Sequence, residues 1–252
     1  MAYDTSPPMS NPPTRKPRAW LSWSSGKDSA WTLHMLRTRG DVEVVGLLTT
    51  LNREAGRVAM HAVREELLDA QAAAAGLPLI KVFLPHPCSN AAYEDAMRGA
   101  IAQAKAACIT HMAFGDLFLE DVRQYRERML ADTGIQPIFP LWKQPTRQLA
   151  DRMIAAGLRA YLTCVDPKQL SPAFAGRTFD ERLLKDLPDG VDPCGERGEF
   201  HSFAYAGPIF ERSIPILPGE VVTRDGFVFA DVLLDQRSTK SPPGPSRRKT
   251  AP

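Results

Sequence analysis

From residue 19 the chain alternates short, almost wholly apolar runs with longer stretches whose apolar positions recur every three or four residues. Residues 19–23, 42–48, 79–84, 109–114 and 135–139 make the runs. Their shortness and continuity suit strands covered on both faces, as in a parallel sheet flanked by helices. Between them, 30–39 reads as a helix stopped by Gly40 in a C-cap position. Met60, Val63, Leu67, Ala70 and Ala74 fall on one face of a second helix, closed by Gly76 and Pro78. A third begins near Asn90 as its cap, with Tyr93, Met97, Ile101 and Ala104 as the buried stripe, and 119–130 is a charged amphipathic fourth. Strict alternation of strand and helix predicts an α/β fold with a parallel sheet.

The rhythm changes near Lys143. A helix over 146–156, a strand over 160–165 and a short helix over 179–187 are followed by β signals at 200–205, 221–223 and 227–234. The last two flank Arg224-Asp225-Gly226, a hairpin turn. Two domains are expected: a nucleotide-type sheet over 19–143 and a smaller α+β domain over 144–236. Residues 1–18 and 237–252 are rich in Pro and Ser and poor in large apolar side chains, so they are expected to be disordered, with too little surface to bury against their ordering entropy.

Composition narrows the class. The 252 residues are 44% hydrophobic and 24% charged, enough for a real core, and fibrous or small disulfide-scaffold readings are excluded. No apolar run approaches the roughly 18–20 residues that cross a bilayer, so no membrane partner is expected. The proline-rich first residues lack the apolar core of a secretion signal. Cys88, Cys108, Cys164 and Cys194 stand 20, 56 and 30 positions apart with no C-x-x-C pair, which points to reduced thiols in a cytoplasm. The net charge of +2 hides termini at +2 and +5, leaving 19–236 at −5. Nucleic acid is therefore not indicated as a partner.

Ser24-Ser25-Gly26-Lys27-Asp28-Ser29 joins the first strand to the first helix. Small residues let backbone N–H groups converge on an anion, the helix N-terminus adds partial positive charge and Lys27 a mobile full one, so phosphate is the natural guest. Asp28 would repel phosphate unless Mg²⁺ or an ordered loop contact compensates it. Read without that guest, the segment is a polar turn with Ser24 or Ser25 as N-cap. Its spacing is not that of a Walker A loop, which needs four residues between its first glycine and Gly-Lys-Ser/Thr.

The segment instead resembles the PP-loop of the ATP pyrophosphatases, Ser-Gly-Gly-x-Asp-Ser directly after the first strand, with Ser25 in place of the first glycine. Met60-His61-Ala62-Val63-Arg64-Glu65-Glu66, Gly76-Leu77-Pro78-Leu79, Phe114-Gly115-Asp116, Pro140-Leu141-Trp142 and Gly176-Arg177 follow in order. With Cys194-Gly195-Glu196-Arg197-Gly198-Glu199-Phe200-His201-Ser202 they resemble the diphthine–ammonia ligase family over about 19–234. The resemblance implies a Rossmann-like, HUP-type α/β/α adenine-nucleotide domain followed by a smaller domain that holds the acceptor. It also implies ATP-driven amidation: a carboxylate attacks the α-phosphate, pyrophosphate leaves, and ammonia displaces AMP. ATP, Mg²⁺ and ammonia would be the small-molecule partners. The acceptor would be a carboxylate on a protein or a small molecule.

By this resemblance Ser24, Ser25, Gly26, Lys27, Asp28 and Ser29 bind the phosphates together with Gly115, and His61 lies near the ribose or base. Lys27, Asp28, Asp116, Glu196 and Glu199 are the catalytic candidates, with Asp28 and Asp116 as metal ligands. Asp116 follows the fourth strand, at the end where open α/β sheets bind ligands, or else caps the next helix. Glu196 and Glu199, with Gly198 between them, could face one pocket and order ammonium, accept a proton from it or hold a metal, or they are turn residues. Arg64 either reaches phosphate or pairs with a carboxylate. Nothing near Cys194 in sequence argues for thiolate activation. Two other classes fit the loop: an adenine nucleotide α-hydrolase or other adenylating enzyme with a different acceptor, and a non-catalytic ATP-binding module.

Overall fold

In the computed structural model, which describes residues 16–54, 56–58 and 63–239, the first sheet holds six strands. They are β1 (Arg18–Ser22), β2 (Glu43–Asn52), β3 (Arg57–Val58), β4 (Leu79–Leu84), β5 (His111–Ala113) and β6 (Gln136–Ile138). β4, β2, β1, β5 and β6 lie side by side in parallel, and the two-residue β3 pairs antiparallel with the end of β2. The chain winds outward from β1 to β4, then crosses to the other side of β1 at β5. That reversal opens a crevice above the carboxyl ends of β1 and β5, where doubly wound sheets bind ligands. The fold is α/β and Rossmann-like.

Four helices flank this sheet: α1 (Lys27–Arg39), α2 (Glu65–Ala75), α3 (Asn90–Ala106) and α4 (Glu120–Leu130). α1 ends on Gly40 at φ 66°, whose N–H donates to Leu36 O, as the C-cap expectation requires. The cap of α3 is Ser89, one residue before the expected Asn90; its Oγ accepts from Ala92 N at 3.2 Å. α2 starts later than expected because Arg64 is extended and bridges Arg57, so Val63 is buried without being helical. Residues 59–62, with Met60 and His61, lie outside the described residues, as do 1–15 and 240–252, most of the termini expected to be disordered.

The second sheet is antiparallel throughout, in the order β8 (Phe200–Ala206), β7 (Arg159–Val165), β10 (Phe227–Leu234), β9 (Ile216–Arg224). α5 (Thr146–Ala155), a 3₁₀ turn over Pro172–Phe174, α6 (Glu181–Asp186) and α7 (Gln236–Thr239) complete the chain. β9 is longer than the expected 221–223 because Pro218-Gly219 masks its first half. Asp225 and Gly226, at φ 53° and 81°, make the two-residue turn. One buried cluster runs from Leu21 and Leu47 through Leu67 of α2 to Leu162, Phe179 and Phe203 beside the second sheet. A smaller cluster with Met97, Ile101 and Met112 packs on the other face. Each fully buried leucine or phenylalanine contributes about 1.5–3 kcal/mol, so the shared cluster binds the two sheets together. No described helix is long and apolar enough to cross a membrane.

Candidate active site

β1 ends at Ser22 and α1 begins at Lys27, so the turn between them is short and tightly determined. Trp23 N–H donates to Leu48 O at 2.7 Å, carrying the sheet ladder into the turn. The buried Gln71 of α2 accepts from Trp23 Nε1 at 2.8 Å and donates to Ser25 O and Ala204 O, at 2.9 and 2.6 Å. Ser25 O also accepts from Ala204 N at 2.9 Å. These contacts hold Ser25 at φ 70°, fully buried, with its Oγ lacking a hydrogen-bond partner. A residue with a Cβ costs about 1–2 kcal/mol in that conformation, so the surroundings impose it.

The turn aims donors into the crevice. Ser24 Oγ accepts from Gly26 N and donates to Ser29 Oγ, which donates to Gly26 O at 3.0 Å. Lys27 N donates to Ser202 Oγ of β8 at 3.3 Å, and Ala30 N to Gly26 O. In the first turn of α1 the Asp28 N–H turns toward its own carboxylate, and the Ser29 N–H has no acceptor among the described residues. Gly115 stands opposite them: a Cβ there would meet Asp28 C and Ser29 N at 3.2 Å. A side chain there would press on the α1 N-terminus, so glycine eases the close approach of the segment after β5.

Lys27 does not swing free as a mobile charge. Its Nζ is buried, donates to Asp28 Oδ2 at 2.8 Å and to Cys194 O, and lies over the rings of Phe179 and Phe200, 5.6 and 5.3 Å from their centroids. Burial pulls its pKa down, but Asp28, Cys194 and Glu196 hold it above the ordinary lysine range, so it stays charged. Burial pushes Asp28 up, against the pull of Lys27.

Asp28, Asp116 and Glu196 line one cleft of about 260 Å³ above the β1–β5 reversal. Burial raises Asp116, opposed by Arg126 of α4, and Asp28 adds repulsion. The Arg126 guanidinium lies 3.7 Å away, and Asp116 Oδ2 has no hydrogen-bond partner. Glu196 Oε1 accepts from Leu117 N at 2.7 Å, yet burial, with Asp28 and Asp116, pushes its pKa up to about 7. Three crowded carboxylates beside a helix N-terminus with the Ser29 N–H open suit a polyanion that brings its own cation. Among the described residues no three His, Cys, Asp or Glu side chains are set to cage a metal alone. Asp28 and Asp116 offer two carboxylates to one cleft, a donor set that Mg²⁺ takes when phosphate and water complete its shell.

Glu199 is not brought into this cleft. It is buried behind it, Oε1 accepting from Asp192 N and Oε2 from Arg197 N, both at 2.9 Å. The expectation that both glutamates face one pocket therefore fails: Gly198, at φ 85°, reverses the chain between them, so their side chains part. Glu199 and Asp192 instead brace the loop. Asp192 accepts from Cys194 N, Glu196 N and Thr146 Oγ1. Gly195 sits at φ 69°, and a Cβ there would come within 2.8 Å of Phe200 O. The braced loop delivers Cys194 O to Lys27 and Glu196 to the cleft. Burial pushes the Cys194 thiol well up, leaving it inert.

A second cleft of about 450 Å³ adjoins the first, sharing Ser24, Phe114, Arg126 and His201. Tyr93, Met97 and Met112 give it apolar walls, and Thr49 Oγ1 is buried there without a partner. His61 lies outside the described residues. Arg64 is committed elsewhere: it pairs with Asp231 at 2.5 Å, beside Arg57 at 2.8 Å, and despite burial the two hold Asp231 down to about 2. Sequence reasoning missed Gln71, Arg126, Asp192 and Ser202 as parts of the site. Gln71 had left a trace, as a polar residue in the alanine-rich run that covers the core.

A model of the diphthamide synthase N-terminal domain matches residues 18–137 and one of the C-terminal domain matches 145–231. The diphthine–ammonia ligases of Bos taurus and Homo sapiens are each 32% identical over 120 residues, 45% of this chain and 45% of theirs. That of Schizosaccharomyces pombe is 27% identical over 100 residues, 38% of this chain and 16% of its own. The matched region spans less than half the length of these curated relatives.

Proposed function

The chain belongs to the diphthine–ammonia ligase family of diphthamide synthases, and on that premise we propose that it is a cytoplasmic ligase. It uses ATP to amidate a carboxylate with ammonia, releasing AMP and pyrophosphate; diphthine is the acceptor named for its relatives. We assign 19–143 to the nucleotide and 144–236 to the acceptor. One observation carries the reading: the α1 N-terminus, with the Ser29 N–H open, shares a cleft with Asp28, Asp116 and Glu196 at the sheet reversal. The adjoining apolar cleft suits the nucleoside, and on this reading we assign the α-phosphate to their junction.

A Mg²⁺ ion bound with the triphosphate would neutralise its charge, and Asp28 and Asp116 are the residues to hold it. Asp116 Oδ2, buried without a hydrogen bond and only 3.7 Å from the Arg126 guanidinium, supports that role. The acceptor oxygen bonds to the α-phosphorus as the bridging P–O bond to the β-phosphate breaks, and pyrophosphate departs with that electron pair. The loop N–H groups steady the charge. Ammonia then adds to the acyl carbon and loses a proton, and AMP leaves with the acyl C–O electrons. We assign that proton to Glu196, whose pKa near 7 suits a general base at neutral pH. Lys27 fixes Asp28 and the 192–199 loop in register, and Glu199 acts as a positioning residue.

The test is chromatography of nucleotides after incubation with ATP, Mg²⁺, ammonium and a diphthine-bearing protein. AMP should form only when ammonium and acceptor are both present, and Asp28→Ala should abolish it. ADP as the product, or AMP formed equally well without acceptor, overturns the reading.

A further inference from the structure

β9 is the outer strand of the antiparallel sheet and pairs only with β10 among the described residues. The sheet's other edge, β8, is closed by the turn after β1 through Ala204 N and Ser25 O. Four large apolar side chains are exposed among the described residues, and three stand on β9: Leu217, Val221 and Val222, at 47%, 57% and 46%. An open edge carrying apolar side chains is a template for another strand.

The register of the hairpin says which strand fits. Arg224 and Phe227 close the two-residue turn as the first hydrogen-bonded pair, and Val222 with Phe229 is the next such pair. Val221 and Thr223 therefore turn their backbone groups outward. A second copy, antiparallel about a two-fold axis at Val222, sets Val221 against Thr223 of the other copy, so outward groups meet outward groups. The same axis sets Glu220 against Arg224 twice. Glu220, Val222 and Arg224 line one cleft and so share a face, and Glu220 has no ion-pair partner among the described residues. Moving the axis to Val221 would leave Glu220 opposite Val222 and Arg224 opposite Pro218.

We propose that two copies of this chain pair through β9 about a two-fold axis at Val222, joining two four-stranded sheets into one of eight strands. The proposal does not depend on the amidation reading. Five paired residues per strand bury less than the roughly 1,200–2,000 Å² of a tight complex, so the dimer is concentration-dependent, dissociating in the micromolar range.

Sedimentation velocity on the full chain, from about 1 to 200 µM, reads the equilibrium directly. The wild type should move from the mass of one chain to that of two. Glu220→Arg and Arg224→Glu should each raise the dissociation constant about tenfold by opposing like charges, and the double swap should restore it to within about threefold. Unchanged melting temperatures establish that each variant is folded. A wild type that stays monomeric, as it would with the edge covered by its own chain, overturns the proposal. So does a dimer insensitive to both single swaps, or a double swap no tighter than either.

Discussion

Glu199→Gln removes one of the two carboxylate oxygens that hold the 192–199 loop and puts an NH₂ group where an oxygen accepted from a backbone N–H. Buried hydrogen bonds to a charged group contribute about 1.5–3 kcal/mol each, and a donor left without an acceptor costs about 1–3 kcal/mol. One bond lost and one donor stranded, with partial relaxation, come to about 2–4 kcal/mol. At about 2–4 °C per kcal/mol for a chain of this size, the melting temperature should fall by roughly 5–15 °C. Glu196→Gln keeps an oxygen for Leu117 N and faces the cleft, so it should melt within about 2 °C of wild type. The assay pairs calorimetric melts with AMP formation measured well below every melting temperature. Glu199→Gln should be unstable but retain a substantial rate when folded, whereas Glu196→Gln should be stable and slow. If Glu199→Gln melts with wild type and loses turnover, its carboxylate takes part in the reaction and the bracing role is refuted.

Glu196 must be ionised to take a proton, so the AMP-forming rate should climb as pH rises through about 7, and Glu196→Gln should flatten that climb. A rate falling over the same window in wild type would reverse the assignment. Ser25→Gly relieves a Cβ at φ 70° but frees the unfolded chain, for a net gain of about 0.5–1 kcal/mol. Its melting temperature should therefore rise by about 1–4 °C, and a fall would mean that the hydroxyl has an unseen partner. Asp231, held near 2 in the folded chain, lends stability that is complete above its ordinary pKa of 3.8 and disappears as pH drops toward 2. Asp231→Asn should cost about 1–2 kcal/mol in urea melts at pH 7, discounted for partial exposure, and almost nothing near pH 2.

Elements with local punctuation were legible in the sequence. Leu79–Leu84 falls where expected because Pro78 and Pro85 bracket it, and α1 ends where Gly40 can turn left-handed. The start of α2 was misjudged because Val63 is buried from an extended segment, and burial alone does not distinguish helix from strand. The turn after β1 could be located, but not its rigidity. Ser25 is fixed by Gln71 and Ala204, 46 and 179 positions away, and the Lys27 ammonium by the carbonyl of Cys194, 167 positions away. Spacing along the chain carries no record of such contacts. Glu196 and Glu199 looked equivalent because backbone direction across Gly198, invisible in residue types, decides which carboxylate reaches the cleft.

The grip of Ala204 and Ser202 on the turn after β1 has a consequence for biosynthesis. A nascent polypeptide that has left the ribosome only as far as Lys143 still lacks Ala204, which bonds Ser25, and Ser202 and Cys194, which bond Lys27. The turn after β1 is thus completed late in translation, and if it binds ATP as proposed, an unfinished product cannot yet do so.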